Sequence, residues 1–140
     1  MKEAYLKHCK ERKEKNLPPL VLDAKQTKSV VDNLISGSDD EFFLDLLTHR
    51  IPPGVDEAAY VKAGFLTSVA KGDQFCQSIS QKHATFLLGT MLGGYSISSL
   101  IDLLDIYRQI NVDVFDRIKE FNKAKNIGEI NLTDGLNSIK

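Results

Sequence analysis

Residues 56–72 read Asp-Glu-Ala-Ala-Tyr-Val-Lys-Ala-Gly-Phe-Leu-Thr-Ser-Val-Ala-Lys-Gly, and their apolar side chains recur at intervals of three and four. The residues that share one face at this spacing are Ala58, Val61, Phe65, Leu66 and Val69. Because 3.6 residues complete one turn of an α-helix, this spacing is typical of an amphipathic helix. We predict a helix that begins after Asp56 and ends at Gly72.

The same period runs along most of the chain, and the two-residue alternation of a half-buried strand is hard to find. The predicted helices are residues 1–15, 23–37, about 39–51, 56–72 and 80–93, a sixth capped by Ser96, a seventh around Val114, and a short terminal helix with Leu132, Leu136 and Ile139. Asp23 and Gln26 have the spacing of a capping box, and Gly37 suits a helix C-terminus. The sequence therefore predicts an all-α protein.

The sequence also makes more detailed predictions about individual residues in these helices. Acidic residues Asp39, Asp40 and Glu41 favour the start of the third helix, whose apolar residues nearly surround it. Phe86 to Met91 supply the apolar part of the fifth helix, and the sixth has an apolar stripe from Ile97 to Tyr107. Gly64 and Gly89 lie inside helices, where we expect a neighbouring helix to approach closely.

Helix pairs begin near Asp40 and near Ser80, a spacing of about 40 residues, which lies within the range of HEAT-type repeats. This spacing favours stacked antiparallel helix pairs. A plain helical bundle fits the same pattern.

The composition excludes several classes of function. The chain has 140 residues, which is about one domain's worth, so we predict a single domain over 1–140. Its formal net charge is −1, which lacks the broad cationic field of non-specific nucleic-acid binding. No apolar run approaches the roughly 20 residues of a membrane helix, and the charged N-terminus has no signal-peptide core. We expect a cytoplasmic protein without membrane or nucleic-acid partners.

The residues that could carry chemistry form no recognisable centre. Cys9 and Cys76 are far apart and belong to no C-x-x-C motif, which suits a reducing compartment and leaves an iron–sulfur cluster without ligands. The three histidines, His8, His49 and His83, form no helical zinc pair. Asp45 and His49 are four residues apart, which is typical of a local pair on a helix surface. We predict no catalytic and no metal-binding residue.

Two blocks of this sequence resemble a known family. The first is Asp45–Leu66, which contains Pro-Pro-Gly-Val-Asp-Glu-Ala-Ala-Tyr, and the second is Leu87–Tyr95, which continues into Leu100-Ile101-Asp102. The opening also agrees, in Tyr5, Lys7-His8, Glu11-Arg12 and Leu22-Asp23-Ala24. Over about residues 1–105, the chain is similar to the N-terminal HEAT-like domain of bacterial aconitate hydratase B.

The resemblance implies antiparallel HEAT-like helix pairs that form a short right-handed superhelix. In that family the domain precedes the catalytic domains, lies beside the channel to the active site, and is implicated in protein contacts and dimerisation. The family's reaction is the isomerisation of citrate and isocitrate through cis-aconitate. Its iron–sulfur cluster is held by later domains, so the resemblance gives this chain neither a catalytic role nor a cofactor.

Three functional hypotheses follow. The first is a non-catalytic protein–protein interaction module, whose partner is a set of aconitase catalytic domains or a second copy of the chain. The second is a fragment or a separately encoded part of an aconitate hydratase, and the third is an RNA-binding regulatory module. The candidate interaction surface consists of Pro52, Pro53, Gly54, Asp56, Glu57, Tyr60, Gly93, Gly94 and Tyr95.

Overall fold

The computed structural model describes residues 1–38 and 40–125. Its helices are α1 (Lys2–Glu14), α2 (Ala24–Ser36), α3 (Asp40–His49), α4 (Glu57–Lys71), α5 (Gln81–Thr90) and α6 (Gly94–Lys125). No strand occurs in this part of the chain, so the predicted all-α class is confirmed. The arrangement of the pairs as a right-handed HEAT-like superhelix stays a prediction.

Local signals in the sequence set the ends of α2 and α4. The Asp23 carboxylate accepts a hydrogen bond from the Gln26 backbone N–H at 2.7 Å, and the Gln26 side-chain oxygen accepts one from the Asp23 N–H at 3.1 Å. This is the predicted capping box. Gly37 and Gly72 end the two helices with φ of 71° and 86°, in the left-handed region that favours glycine.

α4 is the central element of the N-terminal part of the chain, because it packs against both α2 and α5. Its buried residues are Ala58, Ala59, Lys62, Ala63, Phe65, Leu66, Val69 and Ala70. α2 in turn contacts α3, in which Phe43, Leu46 and Leu47 are buried and Phe42 and Leu44 are half-buried. The apolar residues of α3 are therefore covered, whereas Glu41, Asp45 and His49 form its exposed side.

α1 is attached to this core by one buried aromatic ring and by its following segment. The Tyr5 ring packs edge-on against Phe42, with 6.2 Å between the ring centroids. The backbone N–H of Leu20 donates to Nε2 of His8 at 3.2 Å, and that of Leu22 donates to the Arg50 carbonyl at 2.8 Å. These contacts attach α1 to the first turn of α3 through Phe42, and residue 22 to the end of α3 through Arg50.

The start of α6 differs from the prediction. Ser96 was expected to cap the helix, but α6 already begins at Gly94. The buried Ser96 hydroxyl donates back to the Gly93 carbonyl at 3.1 Å. The N-cap assignment of Ser96 is wrong because a serine hydroxyl can bond a preceding carbonyl as readily as it can bond a following N–H.

The predicted sixth and seventh helices are a single helix, since α6 continues without interruption from Gly94 to Lys125. No glycine or proline occurs between Tyr95 and Lys125, so nothing in the sequence breaks the helix. Phe86, which was placed in the apolar part of α5, is 66% exposed. Its neighbours Leu87 and Leu88 are buried as expected.

The contacts divide the chain into two compact units, one over Met1–Leu103 and one from Leu104 onward. The described part of the second unit is the C-terminal portion of α6. The predicted terminal helix with Leu132, Leu136 and Ile139 lies outside the described residues, as do Asp39 and the side chain of Asp40.

Lys62 is a charged residue in the middle of the buried face of α4, and it is only 7% exposed. Its Nζ lies 3.4 Å from the Thr48 carbonyl oxygen, in the last turn of α3, and donates to it. A cation is favoured there, because the last carbonyls of a helix carry partial negative charge. Burial nevertheless lowers the pKa of Lys62 from its usual 10.5, since an ammonium group loses its hydration in the protein interior.

We therefore predict a pH-dependent effect of replacing Lys62 by methionine, which keeps the length of the side chain. In the native protein Lys62 releases its proton at lower pH than in the unfolded chain. Between this lowered pKa and 10.5 the unfolded state binds more protons, so the free energy of unfolding of the wild type should rise with pH relative to that of Lys62→Met. Below the lowered pKa the difference between the two proteins should be constant.

Urea unfolding between pH 6 and 10 would measure this difference. Lys28→Met, at an exposed position of α2, is the matched control. It retains Lys62, so its free energy of unfolding should rise with pH in parallel with that of the wild type. Parallel curves for all three proteins would show that the buried ammonium does not contribute to the pH dependence.

Candidate interaction surface

Two turns that are distant in the sequence meet at one end of α4. The backbone N–H of Gly54 donates to the Leu92 carbonyl at 2.6 Å. Gly93 has φ of 136°, and a Cβ added to it would collide with the carbonyl group of Gly54. A side chain at position 93 is therefore excluded both by the backbone conformation and by the opposite turn.

Two tyrosines continue this contact on the surface. The rings of Tyr60 and Tyr95 lie 5.1 Å apart between centroids, with 72° between their planes. This edge-to-face arrangement is favourable because the positive edge of one ring meets the negative face of the other. The Tyr95 hydroxyl also donates to the Val55 carbonyl at 3.3 Å. Tyr95 thus connects the start of α6 both to the turn before α4 and to α4 itself.

Further along the same two helices, polar side chains fix the direction of α6 up to Asp102. The hydroxyl of Thr67 lies 2.7 Å from that of Ser99, and Ser99 donates to the Tyr95 carbonyl at 3.2 Å. Lys71 Nζ lies 3.3 Å from a carboxylate oxygen of Asp102. Tyr60, Thr67 and Lys71 of α4 thus contact, in that order, Tyr95, Ser99 and Asp102 of α6. Because the order is the same along both helices, this part of α6 runs parallel to α4.

The structure brings together both halves of the predicted surface. Pro52, Gly54 and Gly93 are half-buried, whereas Pro53, Asp56, Glu57, Tyr60, Gly94 and Tyr95 are exposed. Two further residues, absent from the prediction as individual sites, belong to it: Val55 is 75% exposed and Leu92 is 71% exposed. We call Val55, Tyr60, Leu92 and Tyr95 the tyrosine surface. An apolar residue directly beside a turn glycine is the sequence signal that could have indicated Val55 and Leu92.

The tyrosine surface is apolar and has acidic residues beside it. Its four side chains are apolar or aromatic, and Asp56 and Glu57 lie beside it at the N-terminus of α4. Aromatic residues are enriched in the centres of protein interfaces, where charged residues are depleted. Tyr60 itself is 62% exposed, although it already packs against Tyr95.

The histidine and cysteine residues that were considered for chemistry make local or core contacts. His49 and Asp45 form a surface pair at 3.9 Å, with both side chains about two-thirds exposed. Cys76 is buried and its thiol points to the Leu34 carbonyl at 3.7 Å, whereas Cys9 is half-buried against the core. Within residues 1–38 and 40–125, no group of three or more His, Cys, Asp or Glu residues could hold a metal ion.

Gly64 and Gly89 do not have the role that the sequence suggested. A Cβ at either position would meet nothing within 4 Å, so the expected close approach of a neighbouring helix is wrong at both. Both glycines lie at exposed positions of their helices. A close backbone approach occurs instead at Gly93, where the opposite group is the Gly54 carbonyl of a turn and not a helix.

Comparison with known proteins shows that the sequence is similar to one family. The family model described as the aconitate B N-terminal domain matches residues 4–126. Aconitate hydratase B of Pseudomonas aeruginosa is 50% identical over 107 residues, and that of Escherichia coli is 51% identical over 107 residues; each match covers 75% of this chain. Aconitate hydratase B of Synechocystis is 50% identical over 106 residues, which is 74% of this chain.

The matched region is a small part of these relatives, since it covers 12% of the length of each. Among the residues that the structure describes, no helix is both long enough and apolar enough to cross a membrane.

The two kinds of glycine lead to opposite predictions for substitution by alanine. Gly93→Ala should lower the free energy of unfolding by about 2 kcal/mol or more, because it combines a positive φ with a collision against the Gly54 carbonyl. Gly89→Ala should raise it by about 0.5–1 kcal/mol, because alanine loses less conformational freedom in a helix and meets no neighbour. Thermal or urea unfolding of both variants measures this. Similar effects of the two substitutions would contradict the contact between the turns.

Proposed function

The chain belongs to the aconitate B N-terminal domain family, and we propose that it acts as a non-catalytic protein interaction module of an aconitate hydratase B. The observation that carries this proposal is the tyrosine surface, in which two turns and two helices hold exposed apolar side chains in one place. In this proposal the chain binds a protein partner, and the catalytic residues of the enzyme belong to another polypeptide.

The tyrosine surface supports this proposal because its two tyrosine side chains contact each other before any partner binds. Tyr95 is fixed by its ring contact with Tyr60 and by its hydrogen bond to Val55. The main chain beneath it is fixed by the bond between Gly54 and Leu92. Side chains that are already ordered lose little conformational entropy on binding, so more of the contact energy remains for affinity.

The proposed partner is the remainder of an aconitate hydratase B, because the matched relatives are about eight times longer than the part that this chain covers. The complementary surface on that partner should be apolar at its centre. It should also carry hydrogen-bond donors or basic side chains that face Asp56 and Glu57, since carboxylates accept hydrogen bonds and are the expected rim of the tyrosine surface.

The second candidate function is a direct contribution to aconitate hydratase activity, as a part of the enzyme itself. In this version the chain binds the same partner, and the assembled protein interconverts citrate and isocitrate through cis-aconitate. Identity of about 50% to the enzymes over three-quarters of the chain favours this candidate. The two candidates differ in whether binding changes turnover, and this difference can be measured.

We predict that tyrosine substitutions weaken this binding. Tyr60→Ala and Tyr95→Ala should each raise the Kd by tenfold or more, because truncation of a central aromatic residue at an interface costs about 2 kcal/mol, and about 1.4 kcal/mol already corresponds to tenfold. The titration partner is the Pseudomonas aeruginosa aconitate hydratase B without the region that this chain matches, and isothermal calorimetry gives the Kd. Circular dichroism of that partner and of both variants establishes that each is folded.

Phe75→Ala is the matched control, since Phe75 is an exposed aromatic residue beyond Gly72, at the far end of α4 from Tyr60. From Tyr60 to Lys71, the last residue of α4, the helix rises by about 16 Å, and Phe75 follows in the chain beyond Lys71. The control should leave the Kd unchanged. No heat of binding, or equal losses with all three variants, would contradict the interaction surface. Turnover that rises on addition of the chain would favour the second candidate, and unchanged turnover with intact binding would favour the first.

A further inference from the structure

Residues 17–22, which we call the strap, connect α1 with α2 and turn back along α1. Near the start of the strap, Arg12 Nε donates to the Pro18 carbonyl at 2.9 Å. One turn nearer to the N-terminus of α1, Nε2 of His8 accepts the backbone N–H of Leu20 at 3.2 Å. The strap is therefore tied to α1 at two successive turns, first by an arginine and then by a histidine.

The acceptors of these bonds differ in how they respond to acid. At the far end of the strap, the Leu22 N–H donates to the Arg50 carbonyl at 2.8 Å, and a carbonyl oxygen takes up no proton near neutral pH. An imidazole nitrogen accepts a hydrogen bond through the same lone pair that binds a proton. Because a backbone N–H can only donate, Nε2 of His8 is unprotonated and Nδ1 carries the hydrogen of the neutral ring.

We propose that His8 makes the strap sensitive to pH, because the bond from Leu20 and a proton at Nε2 exclude each other. The imidazolium ion carries an N–H at both nitrogens, so its Nε2–H would face the Leu20 N–H, donor against donor. Histidine side chains gain their proton between about pH 8 and pH 5. The bond is therefore present in the upper part of this range and lost in the lower part.

The surroundings of His8 allow the proton to bind. His8 is half-buried and lines a cavity of about 550 Å³, which Leu20 and Val21 border on the side of the strap. Water in this cavity can hydrate the imidazolium ion, so burial does not exclude the charged form. Leu20 and Val21 are themselves exposed, so the strap can move away from α1 without displacing core residues.

Other charged or titratable groups surround His8 and have to be separated from its effect. Those that line the cavity, lie one turn along α1, or face the Tyr5 hydroxyl from α3 and its end are the Met1 amine, Tyr5, Glu11, Arg12, Asp23, Asp45 and Arg50. The strap itself contains no titratable side chain. A pH effect that belongs to one of these groups persists when His8 is replaced, and this separates the two causes.

Loss of the bond should loosen the middle of the strap and leave its ends in place. The bonds to the Pro18 and Arg50 carbonyls do not depend on protonation in this range, and the ring contact between Tyr5 and Phe42 also remains. α1 therefore stays attached while the strap around Leu20 becomes mobile. This inference goes beyond the proposed function, because it concerns residues outside the tyrosine surface.

NMR spectroscopy of the full chain tests the proposal. At pH 8, correlations to the imidazole nitrogens should show His8 with Nδ1 protonated and Nε2 unprotonated. From pH 8 to pH 5, the protection factor of the Leu20 amide against hydrogen exchange should fall about fivefold or more, which corresponds to the net worth of one hydrogen bond. The protection factor of the Leu22 amide should stay constant, because its acceptor is a carbonyl.

His8→Gln separates His8 from the other titratable groups. Its side-chain oxygen can accept the Leu20 N–H but takes up no proton, so the protection of Leu20 should no longer depend on pH. His83→Gln, on α5, keeps His8 and is the matched control, which should behave as the wild type does. A neutral His8 protonated at Nε2, a constant protection of Leu20 in the wild type, or a pH dependence that persists in His8→Gln overturns the proposal. Equal losses at Leu20 and Leu22 also contradict it.

Discussion

The burial of α4 on most of its circumference is the constraint on which the first unit depends. A helix whose apolar residues extend around it is stable in water only when neighbours cover it on more than one side. α2 and α5 provide that cover, and four alanines (Ala58, Ala59, Ala63 and Ala70) leave little side-chain volume between the backbones. Phe65 and Leu66 fill the wider gaps. Lys62 is the one buried cation among the described residues. Its Nζ donates to a carbonyl in the last turn of α3.

The tyrosine surface is a consequence of this packing. The hydrogen bond between Gly54 and Leu92 contributes only about 1 kcal/mol, which by itself would not hold two turns together. The core contacts of α4 with α2 and α5 place those turns side by side first, and the glycine at position 93 then allows the backbones to touch. Tyr60 and Tyr95 project from helices that are already fixed. The surface therefore inherits its rigidity from buried residues that lie outside it.

The sequence predicted helix ends correctly where they depend on residues that are close together in the chain. Asp23 with Gln26, Gly37 and Gly72 act within one turn of their own position, so the pattern alone located the ends of α2 and α4. It failed at Ser96, whose hydroxyl can bond forward or backward, and at Phe86, since an apolar residue at a helix surface carries no local mark of its exposure. The turn residues of the interaction surface were identified singly. Their contact could not be predicted, because it depends on how α4 and α5 pack in three dimensions.

The prediction of two helices where α6 is continuous has a physical cause. The apolar stripe of the sixth predicted helix ends at Tyr107, and the seventh was placed around Val114. The polar residues Arg108, Gln109 and Asn111 interrupt the apolar pattern between them, but they do not interrupt the helix, because glycine and proline are the residues that break helices and neither occurs between Tyr95 and Lys125. Hydrophobic periodicity reports which side of a helix is covered, whereas backbone chemistry decides where the helix ends, and in α6 the two signals do not coincide.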